Sequence, residues 1–377
     1  MSGRLRVGIF AGGRSAEHEV SVASADAVLR AIDRERFEPY LIYVDRDGRW
    51  HLPAGPAPEL GETSLSARLG IAAPDALPSL PAPRRPSDPA ALQPRAALRP
   101  LGEAIDVAFL VVHGPFGEDG TLQGFLELAG IPYIGAGVLA SAVCMDKVVF
   151  KDLLRGHGLP VVDYTWMRRP SWRERPDEVL AQVAERIGER CVVKPARLGS
   201  SVGMSVVATA GDLPAALDEA FRYDSKVIVE DYVASARELE VGVLGNERPI
   251  AFDPGEVISH RGWYDYAAKY TAGLADVIAR ADVDATLAER LRELALAAYR
   301  LVDCSGMARV DFLVPPDAVY LSEMNTLPGF TATSMFPKQA ALAGLPFDEL
   351  ITRLIELGLE AARDGRTPGS DGDDGWD

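Results

Sequence analysis

The sequence predicts a protein of mixed α/β and α+β class whose first domain is built on an open parallel sheet. Residues 6–10 are typical of a buried strand, because apolar residues are nearly continuous and a glycine-rich turn follows. Residues 37–44 have the same character, and the segment between the two carries apolar residues at helical spacing. A strand, a helix and a second strand in this order indicate half of an open α/β sheet. From Val148 onward, shorter helices and strands indicate an α+β portion.

The composition is that of a globular protein with two or three domains. The chain has 377 residues, of which 47% are hydrophobic and 25% charged. Its net charge of −16 would repel a phosphate backbone, and no basic run is present, which excludes nucleic acid as a partner. The apolar run at residues 7–10 is too short for a signal sequence, and no stretch approaches membrane-spanning length. We therefore expect a cytoplasmic protein, and its three widely spaced cysteines to be reduced structural thiols.

The N-terminal domain is predicted to comprise residues 1–143. Ser21 is the predicted N-cap of its first helix. That helix is expected to turn four apolar residues inward: Val22, Val28, Leu29 and Ile32. Residues 53–100 hold 11 of the 27 prolines and no aromatic residue, so this segment cannot form a core of its own and is interpreted as a long excursion from the domain.

The chain returns to the first sheet through a strand at residues 104–112. A glycine-rich turn at residues 113–120 follows, and then a helix at residues 121–129. In an open α/β sheet, loops at the carboxyl ends of strands face the ligand. We therefore expect the turn to lie at a binding site.

A central subdomain is predicted for residues 144–240. It contains two clear strands, residues 191–194 and 227–230, and each ends in a charged residue. Those charges are expected to border a cleft.

A C-terminal subdomain is predicted for residues 241–362. It contains a helix at residues 285–301 and a hairpin of strands 308–314 and 318–324. Residues 363–377 hold five aspartates and four glycines, which is typical of a disordered acidic tail.

Two lysines indicate a phosphate site. Lys194 precedes a loop of small residues, 195–204, whose backbone amides could approach an anion closely. The lysine comes before the glycines, so the loop is not a P-loop. Lys147 is predicted at the start of another helix. Each feature alone is also typical of an ordinary turn or a solvated side chain, but two lysines from separate elements suit a polyphosphate.

The strand that ends at Glu230 could hold a nucleoside. Glu230 and backbone atoms at this strand end could bind an adenine, and Glu238 could reach a ribose. A solvated acidic loop is the alternative.

Polar residues on the predicted hairpin give the strongest local pattern. Alternation along the strands places Arg309 and Asp311 on one face, and likewise Glu323 and Asn325. Two carboxylates and an amide oxygen suit magnesium that is bound jointly with substrate phosphates. A structural salt bridge of Arg309 is the alternative, but it leaves the asparagine unexplained.

Seven motifs in order resemble those of the D-alanine:D-alanine ligase family of the ATP-grasp superfamily, over nearly the whole chain. They are residues 11–19, 113–120, 145–147, 194–203, 264–270, 309–311 and 323–331. The resemblance implies an ATP-grasp fold behind the N-terminal parallel-sheet domain. It also implies a homodimeric enzyme that joins two D-alanines through an acyl phosphate, using ATP and two Mg²⁺ or Mn²⁺ ions, for peptidoglycan precursor synthesis.

The resemblance also implies a role for individual residues. The nucleotide would be bound by Lys147, Lys194, Ser201, Glu230, Val233 and Glu238. The metal ligands would be Asp311, Glu323 and Asn325, with Glu323 bridging. The catalytic group would be Glu17, Ser200, Tyr270, Arg309 and Gly329, in which Glu17 receives the first D-alanine's ammonium. The remaining substrate contacts would be His113, Lys269 and Ser334.

Three other functions are weighed. A tyrosine at position 270 accompanies dipeptide synthesis in this family, whereas phenylalanine accompanies depsipeptide synthesis with D-lactate, so the dipeptide is favoured. A dinucleotide-binding protein is disfavoured because Gly8, Gly12 and Gly13 lack the required spacing. An inactive binding module is disfavoured because all the charged ligands are present. The glycine-rich residues 254–273 are the expected lid over the site.

Overall fold

The protein consists of three sheets and the helices around them. The computed structural model describes residues 3–71, 102, 104–259, 275–331 and 333–366. The strands are β1 (Leu5–Gly12), β2 (Phe37–Val44), β3 (Trp50–His51), β4 (Val107–Leu110), β5 (Tyr164–Arg168), β6 (Cys191–Pro195), β7 (Ser205–Val207), β8 (Lys226–Asp231), β9 (Arg237–Leu244), β10 (Ile250–Ala251), β11 (Gly255–Ser259), β12 (Ala275–Ile278), β13 (Met307–Val314) and β14 (Tyr320–Asn325). The helices are α1 (His18–Ala31), α2 (Leu65–Leu69), α3 (Thr121–Leu128), α4 (Val138–Met145), α5 (Lys147–Gly156), α6 (Arg169–Glu174), α7 (Pro176–Arg186), α8 (Leu213–Tyr223), α9 (Ala285–Leu301), α10 (Met335–Leu342) and α11 (Phe347–Ala361).

The first sheet has the strand order β3-β2-β1-β4. Strand β1 pairs in parallel with β2 and β4, and β3 joins the edge antiparallel. The last six residues of β1 are buried, as expected for a strand covered on both faces. The predicted open parallel sheet is confirmed.

The predicted N-cap at Ser21 is wrong. Helix α1 begins at His18, directly after Glu17, so Ser21 lies inside it. The Ser21 hydroxyl accepts a hydrogen bond of 2.8 Å from the backbone N–H of Gly12, where β1 ends. A serine that would cap a helix here instead satisfies the end of the neighbouring strand. The four predicted core residues of the helix segment, Val22, Val28, Leu29 and Ile32, are buried as expected.

The described start of the proline-rich excursion packs on the first sheet. Ala57, Leu60 and Leu65 belong to the buried core of that domain. Residues 72–100 of the excursion lie outside the described residues. The returning strand is β4, which is shorter than the predicted strand at residues 104–112.

The other two sheets form the central and C-terminal parts. The central sheet is antiparallel with the order β5-β8-β6-β7, and the C-terminal sheet has the order β12-β11-β9-β13-β14, with β10 paired to β9. Strand β9 runs through residue 240, where the sequence placed a domain boundary. The predicted helix at residues 285–301 and the predicted hairpin are confirmed as α9 and as β13 with β14.

The last long helix packs on the first sheet. Helix α11 contributes to the same core as β1 and β4 through apolar residues at helical spacing: Leu350, Ile351, Leu354, Ile355 and Leu357. Of the predicted tail, residues up to 366 form a last helical turn with Gly365 at φ 100°, and residues 367–377 lie outside the described part. Among the described helices, none combines the length and apolarity that crossing a membrane requires.

Candidate active site

A cleft lies between the central sheet and the C-terminal sheet. Lys147 and Lys194 line it together with Asp311 and Glu323, and its volume is about 260 Å³. The two predicted phosphate-binding lysines and two of the predicted metal ligands therefore line one cavity from opposite sides.

Lys147 is held at the first position of α5. Asp146 caps this helix with its side chain and is bound in turn by Lys226, whose Nζ lies 2.8 and 2.9 Å from the two carboxylate oxygens. The Lys147 ammonium donates to the Leu198 carbonyl at 2.7 Å and lies 3.5 Å from Glu323 Oε2. The lysine thus connects the glycine-serine loop with a predicted metal ligand.

Glu230 lies between two lysines at the floor of the cleft. Its carboxylate accepts a hydrogen bond of 2.7 Å from Lys194 and forms an ion pair of 3.3 Å with the fully buried Lys151. Burial would raise the pKa of Glu230, but the two lysines outweigh it and lower the pKa to about 2. Burial lowers the pKa of Lys151, whereas the pKa of Lys194 is raised because Glu230 outweighs its burial. The Glu230 carboxylate is therefore engaged by protein cations.

The predicted nucleoside residues lie further along the same cleft. Val233 and Glu238 line it beside Tyr232. Ser235, in the turn between β8 and β9, has a left-handed backbone with φ 54°. Glu238 follows this turn and lines the same cleft as Glu230.

The hairpin places the predicted metal ligands directly opposite each other. Arg309 pairs with Asn325, and Asp311 pairs with Glu323. The Arg309 guanidinium donates two hydrogen bonds of 2.7 Å to the two oxygens of Asp311, and its Nε lies 3.2 Å from Glu240 Oε2. The amide nitrogen of Asn325 donates to Asp311 at 2.9 Å, which leaves the amide oxygen available.

The donor set fits magnesium held jointly with phosphates. Asp311, Glu323 and Asn325 offer oxygen donors, the kind that this hard cation prefers. In the part of the chain that the structure describes, no group of three or more His, Cys, Asp or Glu side chains could hold a metal by itself. A protein that supplies few ligands needs phosphate oxygens to complete the coordination.

Three loops meet at the carboxylate of Glu17. The Ser200 hydroxyl donates a hydrogen bond to Glu17 Oε1. A Cβ at Gly114 would lie 2.8 Å from Glu17 Oε2, and one at Gly199 would lie 3.1 Å from the same atom. Ser200 and Ser201 both have left-handed backbones, with φ of 50° and 56°. Strain of this kind at non-glycine residues persists where the surroundings enforce it, and it clusters at functional sites.

Glu118 lies behind Glu17 in the glycine-rich turn. It accepts a hydrogen bond from the Gly114 N–H. Burial and the neighbouring Glu17 raise the pKa of Glu118 to about 8, so it carries a proton at neutral pH.

His113 is buried, and both of its ring nitrogens have protein partners. Nδ1 lies 3.0 Å from the Leu327 carbonyl, which can only accept, so Nδ1 donates. Nε2 then accepts from the Ser24 hydroxyl at 3.2 Å, and that hydroxyl accepts from the Phe330 N–H at 3.3 Å. The ring is neutral, because burial lowers its pKa. His113 therefore joins the glycine-rich turn to the loop that carries Gly329.

Gly329 and Ser334 lie together after β14. A Cβ at Gly329 would lie 3.2 Å from Ser334 Oγ. The Ser334 hydroxyl accepts from the Thr331 N–H at 3.2 Å and contacts the Thr331 hydroxyl at 2.8 Å. The predicted site residues Lys269 and Tyr270, and most of the expected lid, lie outside the described residues.

Two family models match this chain in sequence. The model described as "D-ala D-ala ligase N-terminus" matches residues 6–136, and "D-ala D-ala ligase C-terminus" matches residues 153–356. Together they cover most of the chain. The chain belongs to the D-alanine–D-alanine ligase family. The resemblance found in the sequence motifs is thus confirmed, and with it the ATP-grasp fold.

Individual members of the family are similar over almost their full length. D-alanine–D-alanine ligase A of Chromobacterium violaceum is 47% identical over 372 residues, which are 96% of this chain and 97% of the relative. The VanG D-Ala:D-Ser ligase of Enterococcus faecalis has a TM-score of 0.76 at 30% identity, and covers 94% of this chain and 100% of its own. A D-alanine–D-alanine ligase of Bacillus anthracis, complexed with ATP, has a TM-score of 0.70 at 25% identity and covers 96% of this chain and 99% of its own.

The structure adds three residues that the sequence did not single out. Lys151 lies one helical turn after Lys147, so the spacing of four residues was an available signal. Glu240 lies two residues after Glu238, so alternation along the strand already placed both on one face in the sequence. Glu118 is part of the glycine-rich motif, but its burial beside Glu17 could not be read locally.

Proposed function

We propose that this protein joins two molecules of D-alanine into D-alanyl-D-alanine, with conversion of ATP to ADP and phosphate, for peptidoglycan precursor synthesis. One observation carries the proposal. Lys147 and Lys194 share a cleft with the opposed carboxylates of Asp311 and Glu323, next to the Glu17 carboxylate that three loops enclose. Membership of the family supports the choice of substrates.

ATP is proposed to lie along the cleft. The ammonium groups of Lys147 and Lys194 are suited to its phosphates, and Ser201 belongs to the loop that would cover them. Val233 and Glu238 are suited to the adenine and the ribose. We infer that Glu230 supports ATP binding chiefly by fixing the phosphate-binding Lys194, since its carboxylate is already bound by two ammonium groups.

Two magnesium ions, or manganese in their place, are proposed to bind at Asp311, Glu323 and Asn325, with Glu323 bridging. Bound there, the ions would neutralise phosphate oxygens and orient the terminal phosphoryl group. The ion pair between Lys147 and Glu323 keeps this carboxylate directed into the cleft.

The first D-alanine is proposed to bind at Glu17, which accepts its ammonium. Ser200 holds the Glu17 carboxylate, and Tyr270 is assigned to the same group. A carboxylate oxygen of this substrate attacks the γ-phosphorus, the bond to ADP breaks, and an acyl phosphate forms. Arg309 and the Gly329 amide would face the negative charge that develops on the carbonyl oxygen.

The second D-alanine is proposed to bind with its carboxylate at Lys269 and Ser334. After losing a proton, its amine attacks the acyl carbon, the bond to phosphate breaks, and the dipeptide is released. We propose that His113 supports this half of the site from behind, through its hydrogen bonds to the loop of Gly329. A lid formed by residues 254–273 would keep water from the acyl phosphate.

Product analysis with the full-length protein tests this function. ATP, Mg²⁺ and D-alanine are incubated with the protein, and ADP and dipeptide are measured by mass spectrometry. We expect equal amounts of both products, and L-alanine should give neither. The similarity to a D-Ala:D-Ser ligase makes D-serine a second candidate for the second substrate, and D-lactate a third. Preference for D-serine or D-lactate over D-alanine would replace the proposed product, and ADP release without any ligated product would refute ligation.

We also propose that the protein works in the cytoplasm as a homodimer. The cytoplasm is the compartment that supplies ATP, and the dimer is carried over from the family resemblance. Light scattering on the purified protein tests the second statement, and a monomer at assay concentration would contradict it.

A further inference from the structure

Three carboxylates form a row across three neighbouring strands of the C-terminal sheet. Glu240 on β9 pairs with Asp311 on β13, and Asp311 pairs with Glu323 on β14. Paired residues share one face of a sheet, and all three line the cleft. Glu240 is the most buried of the three, with 7% of its side chain exposed against 15% for Asp311 and 27% for Glu323.

The guanidinium of Arg309 bridges two members of this row. Arg309 lies two residues before Asp311 on the same face of β13, and its guanidinium contacts both carboxylates. It binds both oxygens of Asp311 at 2.7 Å and lies 3.2 Å from Glu240 Oε2. Two negative groups therefore share one arginine.

This arrangement sets up a competition at Asp311. A carboxylate whose two oxygens are both bound by arginine cannot offer the same oxygens to a metal ion without giving up part of that contact. A guanidinium group keeps its proton in proteins, so the arginine cannot respond by losing its charge. The side chain of Arg309 is only 18% exposed, so its guanidinium needs another anion when Asp311 binds a metal ion.

We propose that Glu240 is a positioning residue that retains Arg309 when a divalent cation takes Asp311. This inference rests on the proposed function for the metal at Asp311 and for the contact of Arg309 with substrate. Glu240 keeps the guanidinium over the cleft and lowers the free energy needed to release Asp311. It acts through Arg309 and is not itself a metal ligand.

Binding of Mn²⁺ in the presence of a non-hydrolysable ATP analogue tests the role without turnover. Free Mn²⁺ is measured by electron paramagnetic resonance for the full-length protein, for Glu240→Gln and for Glu240→Asp. We expect Glu240→Gln to weaken Mn²⁺ binding by about tenfold, since Arg309 then depends more on Asp311. Glu240→Asp keeps the charge on a shorter side chain, and its Mn²⁺ affinity should lie between those of Glu240→Gln and the unmodified protein.

Glu256→Gln is the matched control. Glu256 lies on the opposite face of the same sheet and forms two hydrogen bonds of 2.7 Å with Arg237. This variant also removes one carboxylate charge and one arginine ion pair. Its Mn²⁺ affinity should equal that of the unmodified protein.

A double-mutant cycle with Arg309→Gln separates positioning from a direct charge effect. Without the arginine, Glu240→Gln should no longer weaken Mn²⁺ binding. An equal loss of affinity in both backgrounds would show that Glu240 acts on the metal directly, and unchanged affinity in a folded Glu240→Gln would remove the role altogether. Absence of ligation by the unmodified protein would instead refute the proposed function, so the two failures are distinguishable.

Discussion

Ser200 donates a hydrogen bond to the carboxylate of Glu17, across 183 residues of sequence. The contact joins the glycine-serine loop of the central sheet to the start of the first helix. A Cβ at Gly114 or Gly199 would lie within 2.8 or 3.1 Å of the same carboxylate, so a side chain at either position would displace Glu17 from its present place. The site proposed for the first substrate is therefore assembled from three segments, two that follow strands of the first sheet and one that follows a strand of the central sheet.

Gly114→Ala should abolish most ligase activity by crowding Glu17. The new Cβ would lie 2.8 Å from Glu17 Oε2, and the left-handed backbone at φ 74° adds strain of about 1 kcal/mol. Gly158→Ala is the matched control, since Gly158 has φ 73° and open space around it. We expect similar losses of unfolding free energy in both variants, but a raised KM for D-alanine only in Gly114→Ala. Equal kinetics of the two would contradict the crowding.

Glu118→Gln should become more stable relative to the unmodified protein as pH rises. The folded protein holds a proton on Glu118 up to a pKa of about 8, whereas the unfolded chain loses it near 4.5. The unmodified protein therefore loses stability between these two pH values, and the glutamine variant lacks this loss. Urea unfolding at pH 5, 7 and 9 measures the difference. A difference that stays constant with pH would argue against a protonated Glu118.

Lys151→Met should destabilise the protein by about 3 kcal/mol at neutral pH, because the buried Glu230 carboxylate loses one of the two ammonium groups that balance its charge. Glu230 has a pKa of about 2 in the folded state, so its stabilisation is present above pH 4.5 and is lost as pH falls toward 2. The destabilisation should therefore shrink between pH 7 and pH 3 in urea unfolding. Lys338→Met, on the half-buried surface of α10, should change stability by less than about 0.5 kcal/mol.

A partner variant checks the cause. Lys151→Met combined with Glu230→Gln should be more stable than Lys151→Met alone, since no buried charge is then left with reduced compensation. If the double variant lost as much unfolding free energy as the two single variants together, the effect of Lys151→Met would come from lost packing instead.

Glu323→Gln should lower turnover by at least about 100-fold while the protein stays folded, because a proposed metal ligand and the Lys147 ion pair are both weakened. ADP release at saturating D-alanine, over a range of Mg²⁺ concentrations, measures the effect. Glu256→Gln serves again as the control. Turnover like that of the unmodified protein would refute the bridging role.

Tyr270→Phe should raise the use of D-lactate relative to D-alanine. In the family, the residue at this position accompanies the choice between dipeptide and depsipeptide. Competition between the two substrates, read as the product ratio, measures the change. Tyr266→Phe, four residues earlier, is the control, and an unchanged ratio in Tyr270→Phe would count against the assignment.

The hairpin shows how much of the site the sequence could predict. Side chains alternate along a strand, so apolar residues at Val310 and Met324 already required Asp311 and Glu323 to share the other face. The order of strands and helices followed from the same periodicities. The predicted facing of the hairpin residues is therefore confirmed in detail.

The features of the structure that the sequence could not predict depend on contacts between distant elements. Ser21 has the chemistry of an N-cap, but the end of β1 takes its hydroxyl instead. The raised pKa of Glu118 arises from its burial next to Glu17, which lies about 100 residues earlier in the sequence. Glu240 gains its significance only because β9 is inserted beside β13, a pairing that no local pattern encodes.

Helix α11 completes the covering of the sheet with which the chain begins, and this bears on biosynthesis. A ribosome makes β1 (Leu5–Gly12) long before α11 (Phe347–Ala361), so the apolar residues of the first sheet that α11 covers stay uncovered on that side until α11 has been made. The first sheet therefore reaches its final packing only after α11 has left the ribosome.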